Sequence, residues 1–142
     1  MNEEHAREIA EALAASSAIA MVGSIGLDGT PQIKAMIKAE HDGLRTFWFS
    51  TNTSSEHVAQ FAKDPRACVY FAAWDEGPWR GLTLSGRMEI LRDRTSREHL
   101  WQDGCERYYP EGIEDPDYTV LRFTTEGGKL YHALTKTHIP IA

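Results

Sequence analysis

The chain has 142 residues, a hydrophobic content of 42%, a charged content of 25% and a formal net charge of -6. These values predict a single globular domain over residues 1–142, large enough to bury a core. The acidic balance argues against a nucleic-acid binder, because such proteins need a basic stripe to neutralise phosphates. No apolar run approaches the roughly 20 residues that span a bilayer, and the N-terminus is polar and acidic. We therefore expect no membrane association and a cytoplasmic location.

The cysteines and histidines give no metal-binding pattern. The two cysteines, Cys68 and Cys105, have no CxxC spacing, and the six histidines do not form an HExxH or similar motif. We therefore expect no metal site.

The N-terminal part of the chain predicts a helix followed by three strands. Residues 2–16 carry apolar side chains at helical spacing. The apolar runs 18–25 and 31–38 flank a glycine-rich turn and predict a β-hairpin. After a turn at 41–43, residues 44–50 alternate as a strand. Three antiparallel strands in sequence are expected.

A hydroxyl-rich segment, Thr51 to Ser55, lies where the third strand gives way to a helix that ends near residue 64. A helix start can bind an anion, because its first N–H groups lack partners and its dipole is positive there. Thr53 and Glu56 also fit a capping box, which would satisfy those N–H groups internally. From these residues alone the capping box is favoured, because Glu56 would compete with a phosphate for the same donors.

Two further strands are predicted in the middle of the chain. Residues 66–74 are almost continuously apolar and predict a strand covered on both faces. Residues 80–91 alternate strictly and predict a long, half-buried strand of a barrel wall. Gly81 and Gly86 are expected at bends or where another backbone approaches closely.

The C-terminal part predicts a helix and a closing hairpin. The helix begins at Thr95, with Glu98 as the partner in a second capping box, and a turn-rich connection follows at 109–117. Strands at 118–124 and 129–134 flank a Glu-Gly-Gly turn. The order of elements predicts a mainly β (α+β) protein, a barrel-like sheet with peripheral helices.

Across nearly its whole length, the chain resembles the pyridoxamine 5'-phosphate oxidase-related family, and in particular its general stress protein 26-like branch. The resemblance lies in PQIKAM (31–36), FWFSTNTSS (47–55), RGLTLSGRMEIL (80–91), YYPEGIEDPDY (108–118) and KLYHAL (129–134). Each segment is weak alone, but their order and spacing are specific. The fold that the resemblance implies is the FMN-binding split β-barrel.

The resemblance also implies a homodimer with an FMN in each of two clefts at the interface. The activity implied is that of a flavin-dependent oxidoreductase with a small-molecule electron donor or substrate, and no catalytic acid or base stands out. The cofactor-binding residues implied are Lys34, Ala35, Met36, Ser50, Thr51, Asn52, Ser55, His57 and, across the interface, Tyr131. Trp101 is a weaker candidate for the cleft.

The chain departs from the family pattern at the phosphate. Glu56 and His57 stand where the family commonly has two basic residues. Because a hydrogen bond to a charged group contributes about 1.5–3 kcal/mol, we expect phosphate binding to be weaker by several kcal/mol. A His57 protonated by the phosphate, together with Lys34 and Lys38, could restore part of this loss.

Three functions therefore remain open. The first is an FMN-dependent oxidoreductase. The second is a dimer that binds a flavin or another planar anionic ligand without turnover, and the third is a scaffold whose cleft has decayed. Pyridoxamine phosphate oxidase activity itself is not expected, because the sequence ends soon after Tyr131, without the arginine-bearing segment that those enzymes use for substrate.

Overall fold

The computed structural model describes residues 1–75 and 77–141. These residues form three α-helices, eight strands and two 3₁₀ turns. The helices are α1 (Glu3–Ser16), α2 (Glu56–Lys63) and α3 (Arg94–Leu100), and the 3₁₀ turns are Cys105–Arg107 and Gly112–Glu114. The strands are β1 (Ile19–Ile25), β2 (Pro31–Ile37), β3 (Glu40–Asp42), β4 (Thr46–Asn52), β5 (Arg66–Ala73), β6 (Arg80–Leu91), β7 (Tyr118–His132) and β8 (Thr135–Ile139).

None of the helices in this described part of the chain is both long and apolar enough to cross a membrane.

The described strands belong to one antiparallel sheet in the order β2-β1-β5-β6-β7-β4-β3, with β8 paired to β7. The long strands β6 and β7 form its central ladder. Although β2 and β4 are far apart in this order, they lie close together in space. The sheet therefore curls into a half barrel with the helices at its periphery, which confirms the predicted mainly β fold.

The predicted run of three neighbouring strands is wrong. Strands β1 and β2 pair as a hairpin, but β4 pairs with β3 and β7 rather than with β2. The segment predicted as a turn at 41–43 contains part of β3, and the turn itself lies around Gly43, which has a φ of 53°. Local signals located the strands, whereas long-range packing selected their partners.

The predicted closing hairpin is also wrong. Residues 126–128, predicted as its turn, lie within the continuous strand β7 alongside β6. A register shift at Ser85 and Gly86 accommodates the extra residue of β7 as a β-bulge. The chain turns instead at Ala133 and Leu134, whose φ values are 50° and 64°. Pairing with the long β6 therefore outweighs the hairpin tendency of the glycine pair.

The predicted close approach of another backbone is confirmed at Gly86, whereas Gly81 is approached by a side chain. A Cβ atom on Gly86 would lie 2.0 Å from the carbonyl oxygen of Thr124, and one on Gly81 would lie 2.5 Å from the hydroxyl oxygen of Tyr70. A side chain at Gly86 would force the backbone of β7 away, whereas one at Gly81 would displace the side chain of Tyr70.

Helix α3 begins at Arg94, and the predicted capping box of Thr95 and Glu98 is wrong. The N-cap is Asp93, whose carboxylate accepts from the backbone N–H of Ser96 at 3.0 Å. Glu98 instead accepts from the guanidinium of Arg94 at 2.6 Å. A carboxylate just before the helix reaches the first N–H groups directly and replaces the predicted box.

The main core lies between one face of the sheet and α1. Helix α1 buries Ala6, Ala10 and Leu13 on the predicted face. The large side chains buried with them are Phe47, Phe49, Phe71, Leu82, Leu84, Leu121, Phe123 and Leu130. A smaller cluster of Leu100, Tyr109, Tyr118 and Val120 packs beside α3.

The opposite face of β1, β2 and β5 is open, and we call it the outer face. The prediction that β5 is covered on both faces is wrong for the single chain. Phe71 is buried, but Ala72 on the opposite face is exposed. On β2, Ile33 and Ile37 are each 72% exposed. Ile37 pairs with the exposed Ile19 of β1, so the apolar side chains are contiguous.

Candidate functional site

A groove separates β2 from the junction of β4 and α2. Its narrow end, about 430 Å³, lies against the start of α2. Its wide end, about 680 Å³, lies between β2, β4 and the segment after α3. Lys34 and Met36 line both ends, so the two form one continuous site. These volumes fall within the range of small-molecule sites, roughly 300–1,000 Å³.

The groove brings together eight of the nine predicted cofactor-binding residues. The wide end is lined by Lys34, Ala35, Met36, Ser50, Thr51 and Asn52, and the narrow end also contains Ser55 and His57. This grouping results from the curl of the sheet, since β2 and β4 are not hydrogen-bonded neighbours.

Tyr131 lies outside the groove of its own chain. It is on β7 opposite Gly81, and its ring packs against that of Trp79 with the centroids 5.5 Å apart. Trp101 does not line the groove itself, and its ring makes an edge contact with that of Tyr118 with the centroids 5.3 Å apart. Tyr131 could therefore contribute to a groove only from a second copy of the chain.

The start of α2 is built differently from the predicted capping box. Thr53 donates its hydroxyl to the carbonyl oxygen of Pro116 at 2.9 Å and does not cap the helix. Ser55 occupies the N-cap, but its hydroxyl donates to the carbonyl oxygen of Asn52 at 2.7 Å. Among the described residues, Ser55 makes no side-chain capping bond to α2. The box of Thr53 and Glu56 is therefore wrong, and this helix start faces the groove without its usual cap.

His57, the second residue of α2, is only 7% exposed. Its Nε2 atom lies 2.8 Å from the hydroxyl oxygen of Thr51 and 3.3 Å from that of Ser55. Burial, and to a lesser extent the positive charge of Lys34, lower the pKa of His57 to about 4. The imidazole is therefore neutral at pH 7 and supplies no positive charge in the structure described here.

Lys38 lines the wide end of the groove, but its ammonium is bonded to α1. Its ammonium donates to the carbonyl oxygens of Ala14 at 2.5 Å and Ala15 at 3.3 Å, near the C-terminus of α1 where the dipole is negative. Burial lowers the pKa of Lys38. In this structure the ammonium of Lys38 is therefore engaged with α1, and Lys34 is the lysine that lines both ends of the groove.

The narrow end also contains a polar pair, Ser24 and Gln60, that no pattern in the sequence indicated. The hydroxyl of Ser24 donates to the side-chain oxygen of Gln60 at 2.6 Å, and both residues are buried. Ser24 comes from β1 and Gln60 from α2. No local pattern joins two residues on such distant elements, so only the tertiary contact reveals them.

Two tyrosines at the wide end were also not identified as site residues. The hydroxyl of Tyr109 donates to the side-chain oxygen of Asn52 at 3.3 Å, and burial raises the pKa of Tyr109. Its ring packs against that of Tyr118 with the centroids 4.8 Å apart. Tyr108 is 73% exposed and lines the same end. Together they give the wide end an aromatic side suited to a planar ligand.

Solved structures similar to this chain include one with high sequence identity. A protein from Clostridium acetobutylicum related to general stress protein 26 of Bacillus subtilis, in the pyridoxinephosphate oxidase family, is 48% identical, with a TM-score of 0.84. The alignment covers 99% of this chain and 97% of that one. Among curated proteins, no sequence matches.

Two more distant structures show the fold alone. General Stress Protein 26 from Bacillus anthracis is 15% identical with a TM-score of 0.72, covering 95% of this chain and 99% of that one. A heme binding protein from Mycobacterium smegmatis is 20% identical with a TM-score of 0.76, covering 95% of this chain and 57% of that one.

A sequence model described as pyridoxamine 5'-phosphate oxidase like matches residues 4–141. The split-barrel fold expected from the sequence is confirmed by the Clostridium structure. The chain belongs to the pyridoxamine 5'-phosphate oxidase-like family.

Proposed function

We propose that this protein is a flavin-dependent oxidoreductase that binds FMN in the groove between β2 and the β4–α2 junction. The observation that carries the proposal is the shape of that groove. It joins an open helix start, which suits an anionic tail, to a wider end with an aromatic side, which suits a planar ring. Membership of the family supports the same conclusion.

The narrow end has the donors that a phosphate requires. The first N–H groups of α2, the hydroxyl of Ser54 and the ammonium of Lys34 are found there. Glu56 lies in the same end and opposes an anion. The residues therefore fit a phosphate chemically, with one carboxylate that weakens its binding.

The wide end has the groups that would position a ring. Backbone and side chains of β2 form one side, and Ser50, Thr51 and Asn52 of β4 form another. Tyr109 holds the side chain of Asn52 through its hydroxyl, which fixes one polar group toward the groove. A bound flavin would supply hydride or electron transfer, while these residues hold it and exclude water.

We further propose a homodimer that packs through the outer face. Ile33 and Ile37 alternate with the buried Met36 along β2, and both isoleucines also reach the edge of the groove, Ile33 at the narrow end and Ile37 at the wide end. A second copy on this face would therefore lie next to the groove, where the partner's Tyr131 could reach the ligand. Contiguous exposed apolar side chains of this kind mark interaction sites in soluble proteins.

The dimer is tested by Ile33→Asp, with the exposed turn residue Leu27→Asp as the matched control. Light scattering during gel filtration is expected to give a dimer for the wild type and for Leu27→Asp, and a monomer for Ile33→Asp. A wild-type monomer at all concentrations would contradict the dimer.

Flavin binding is tested by titrating the purified protein into FMN and following the quenching of flavin fluorescence at low and high salt. Saturable quenching with a micromolar dissociation constant is expected, and Lys34→Gln should weaken it while Arg92→Gln, an exposed substitution after β6, should not. If the protein with FMN bound then oxidises reduced nicotinamide or another donor, the result supports the proposal of an oxidoreductase. Binding without turnover against a panel of donors indicates the non-catalytic dimer.

A parallel titration with hemin tests whether this chain binds heme, as the structurally similar protein from Mycobacterium smegmatis does. Absence of FMN quenching at tens of micromolar, together with a saturable change in the hemin absorption spectrum, would overturn the flavin proposal.

A further inference from the structure

We infer that the phosphate contributes little to flavin binding in this protein, so that riboflavin, whose tail is neutral and hydroxylated, binds within about tenfold of FMN at neutral pH. The inference rests on the proposed function, because it concerns the tail of the same ligand. It assigns the narrow end to the recognition of hydroxyl groups rather than of a dianion.

The charges of the narrow end cancel. Among the described residues that line it, Lys34 carries a positive charge and Glu56 a negative charge at neutral pH. In the free protein His57 is neutral and its Nε2 contacts the hydroxyl of Thr51, and the ammonium of Lys38 is held by α1. The α2 dipole adds the equivalent of roughly half a positive charge, and because Lys34 and Glu56 cancel, only about this half charge faces the two negative charges of a phosphate dianion. A phosphate dianion therefore gains little net attraction.

The side chains at this end, unlike the backbone N–H groups of α2, favour a ligand that can donate as well as accept. The carboxylate of Glu56 accepts hydrogen bonds but cannot donate them. The hydroxyl of Ser55 already donates to Asn52, and Thr51 and His57 are engaged with each other. A hydroxyl on a ligand both donates and accepts, so it can join this network without displacing a bond, whereas a dianionic phosphate can only accept.

The side-chain amides of Gln32 and Gln60 at the narrow end also suit a hydroxylated ligand. The side-chain oxygen of Gln60 accepts from Ser24, and a carbonyl oxygen can accept a second bond. Gln32 lines the same end from β2 and can donate and accept. Neutral polar groups of both kinds are typical of sites that bind polyol chains.

The experiment compares riboflavin and FMN as ligands of the same protein, by fluorescence quenching at neutral pH and two salt concentrations. Both flavins are expected to bind, with dissociation constants within about tenfold of each other and with little salt dependence. In Glu56→Gln, the affinity for FMN is expected to rise by about threefold to tenfold relative to that for riboflavin. Glu98→Gln, an exposed substitution on α3, is the matched control and should leave the ratio unchanged.

Two outcomes would overturn the inference while the proposed function stands. In one, FMN binds more than about a hundredfold more tightly than riboflavin. In the other, Glu56→Gln changes both affinities equally. If neither flavin binds, the proposed function fails and the inference fails with it, so the two failures are distinguished by whether FMN binds at all.

Discussion

Helices α2 and α3 begin in opposite ways. At α3, the carboxylate of Asp93 accepts from the backbone N–H of Ser96 at 3.0 Å and from its hydroxyl at 2.8 Å. At α2, the N-cap residue Ser55 directs its hydroxyl back to the carbonyl oxygen of Asn52. One helix start is therefore satisfied by its own side chains, whereas the other lacks that bond and lines the groove.

The difference separates stability from binding. A capped helix start increases the free energy of unfolding, whereas an uncapped start leaves its backbone N–H groups available to a ligand. Departures from local preference are expected at functional sites, where the rest of the fold compensates for them. The buried His57 is a second such departure in the first turn of α2.

The largest expected effect is the pH dependence caused by His57. Its pKa is about 4 in the folded chain and 6.5 when exposed, so the folded state binds fewer protons between these values. Above pH 6.5 His57 is neutral in both states and the folded state keeps its full stability. As the pH falls from 6.5 toward 4, the unfolded state gains a proton that the folded state does not bind, and the folded state loses stability. The free energy of unfolding should decrease by up to about 3 kcal/mol over this window from His57 alone.

Urea unfolding at a series of pH values measures this loss. His57→Gln should reduce the decrease, whereas His5→Gln, an exposed substitution on α1, should retain it. An identical pH dependence in the wild type and in His57→Gln would show that the start of α2 does not contain the titrating group.

Removal of the α3 cap is expected to have the next largest effect. Asp93→Ala should lower the free energy of unfolding by about 1 kcal/mol, because it removes the acceptor of an N-cap hydrogen bond. Flavin affinity should not change, because α3 starts away from the groove. Denaturation and fluorescence titration of the same variant test both statements, and a weaker flavin affinity would contradict the separation of the two helix starts.

At α2, removal of the N-cap hydroxyl should affect flavin binding more than stability. Ser55→Ala is expected to change the free energy of unfolding by less than about 0.5 kcal/mol, since its hydroxyl makes no cap bond to α2 among the described residues. It should weaken flavin binding about threefold, the cost of one lost hydrogen bond. A larger loss of stability than in Asp93→Ala would show that Ser55 is a structural cap after all.

The smallest effect is expected on the exposed surface of α3. Arg94 pairs with Glu98 and Glu114 at 2.6 Å each, and all three side chains are at least half exposed. Arg94→Gln should lower the free energy of unfolding by less than about 0.5 kcal/mol, and by less still at high salt. Unfolding curves at two salt concentrations measure it, and a salt-independent loss above that size would mean that the pairs are not screened.

Much of the local structure could be predicted from single segments. Strict alternation in residues 80–91 identified β6, because successive side chains point to opposite faces of a sheet. Helical spacing identified α1 and its buried face. The strand-to-helix junction at 51–55 was located by its hydroxyl residues, which are typical of helix starts.

The sequence by itself therefore determined the helices and the long strands, although not β3 or β8, and it named eight residues that line one groove. The tertiary structure decided the partners of β4, the continuity of β7 through its glycines, the cap that each helix receives and the burial of His57. It also brought β2 to the start of α2 and so formed the groove. The physical reason is that periodicity is a property of neighbouring residues, whereas pairing, burial and pKa depend on atoms that are distant along the chain.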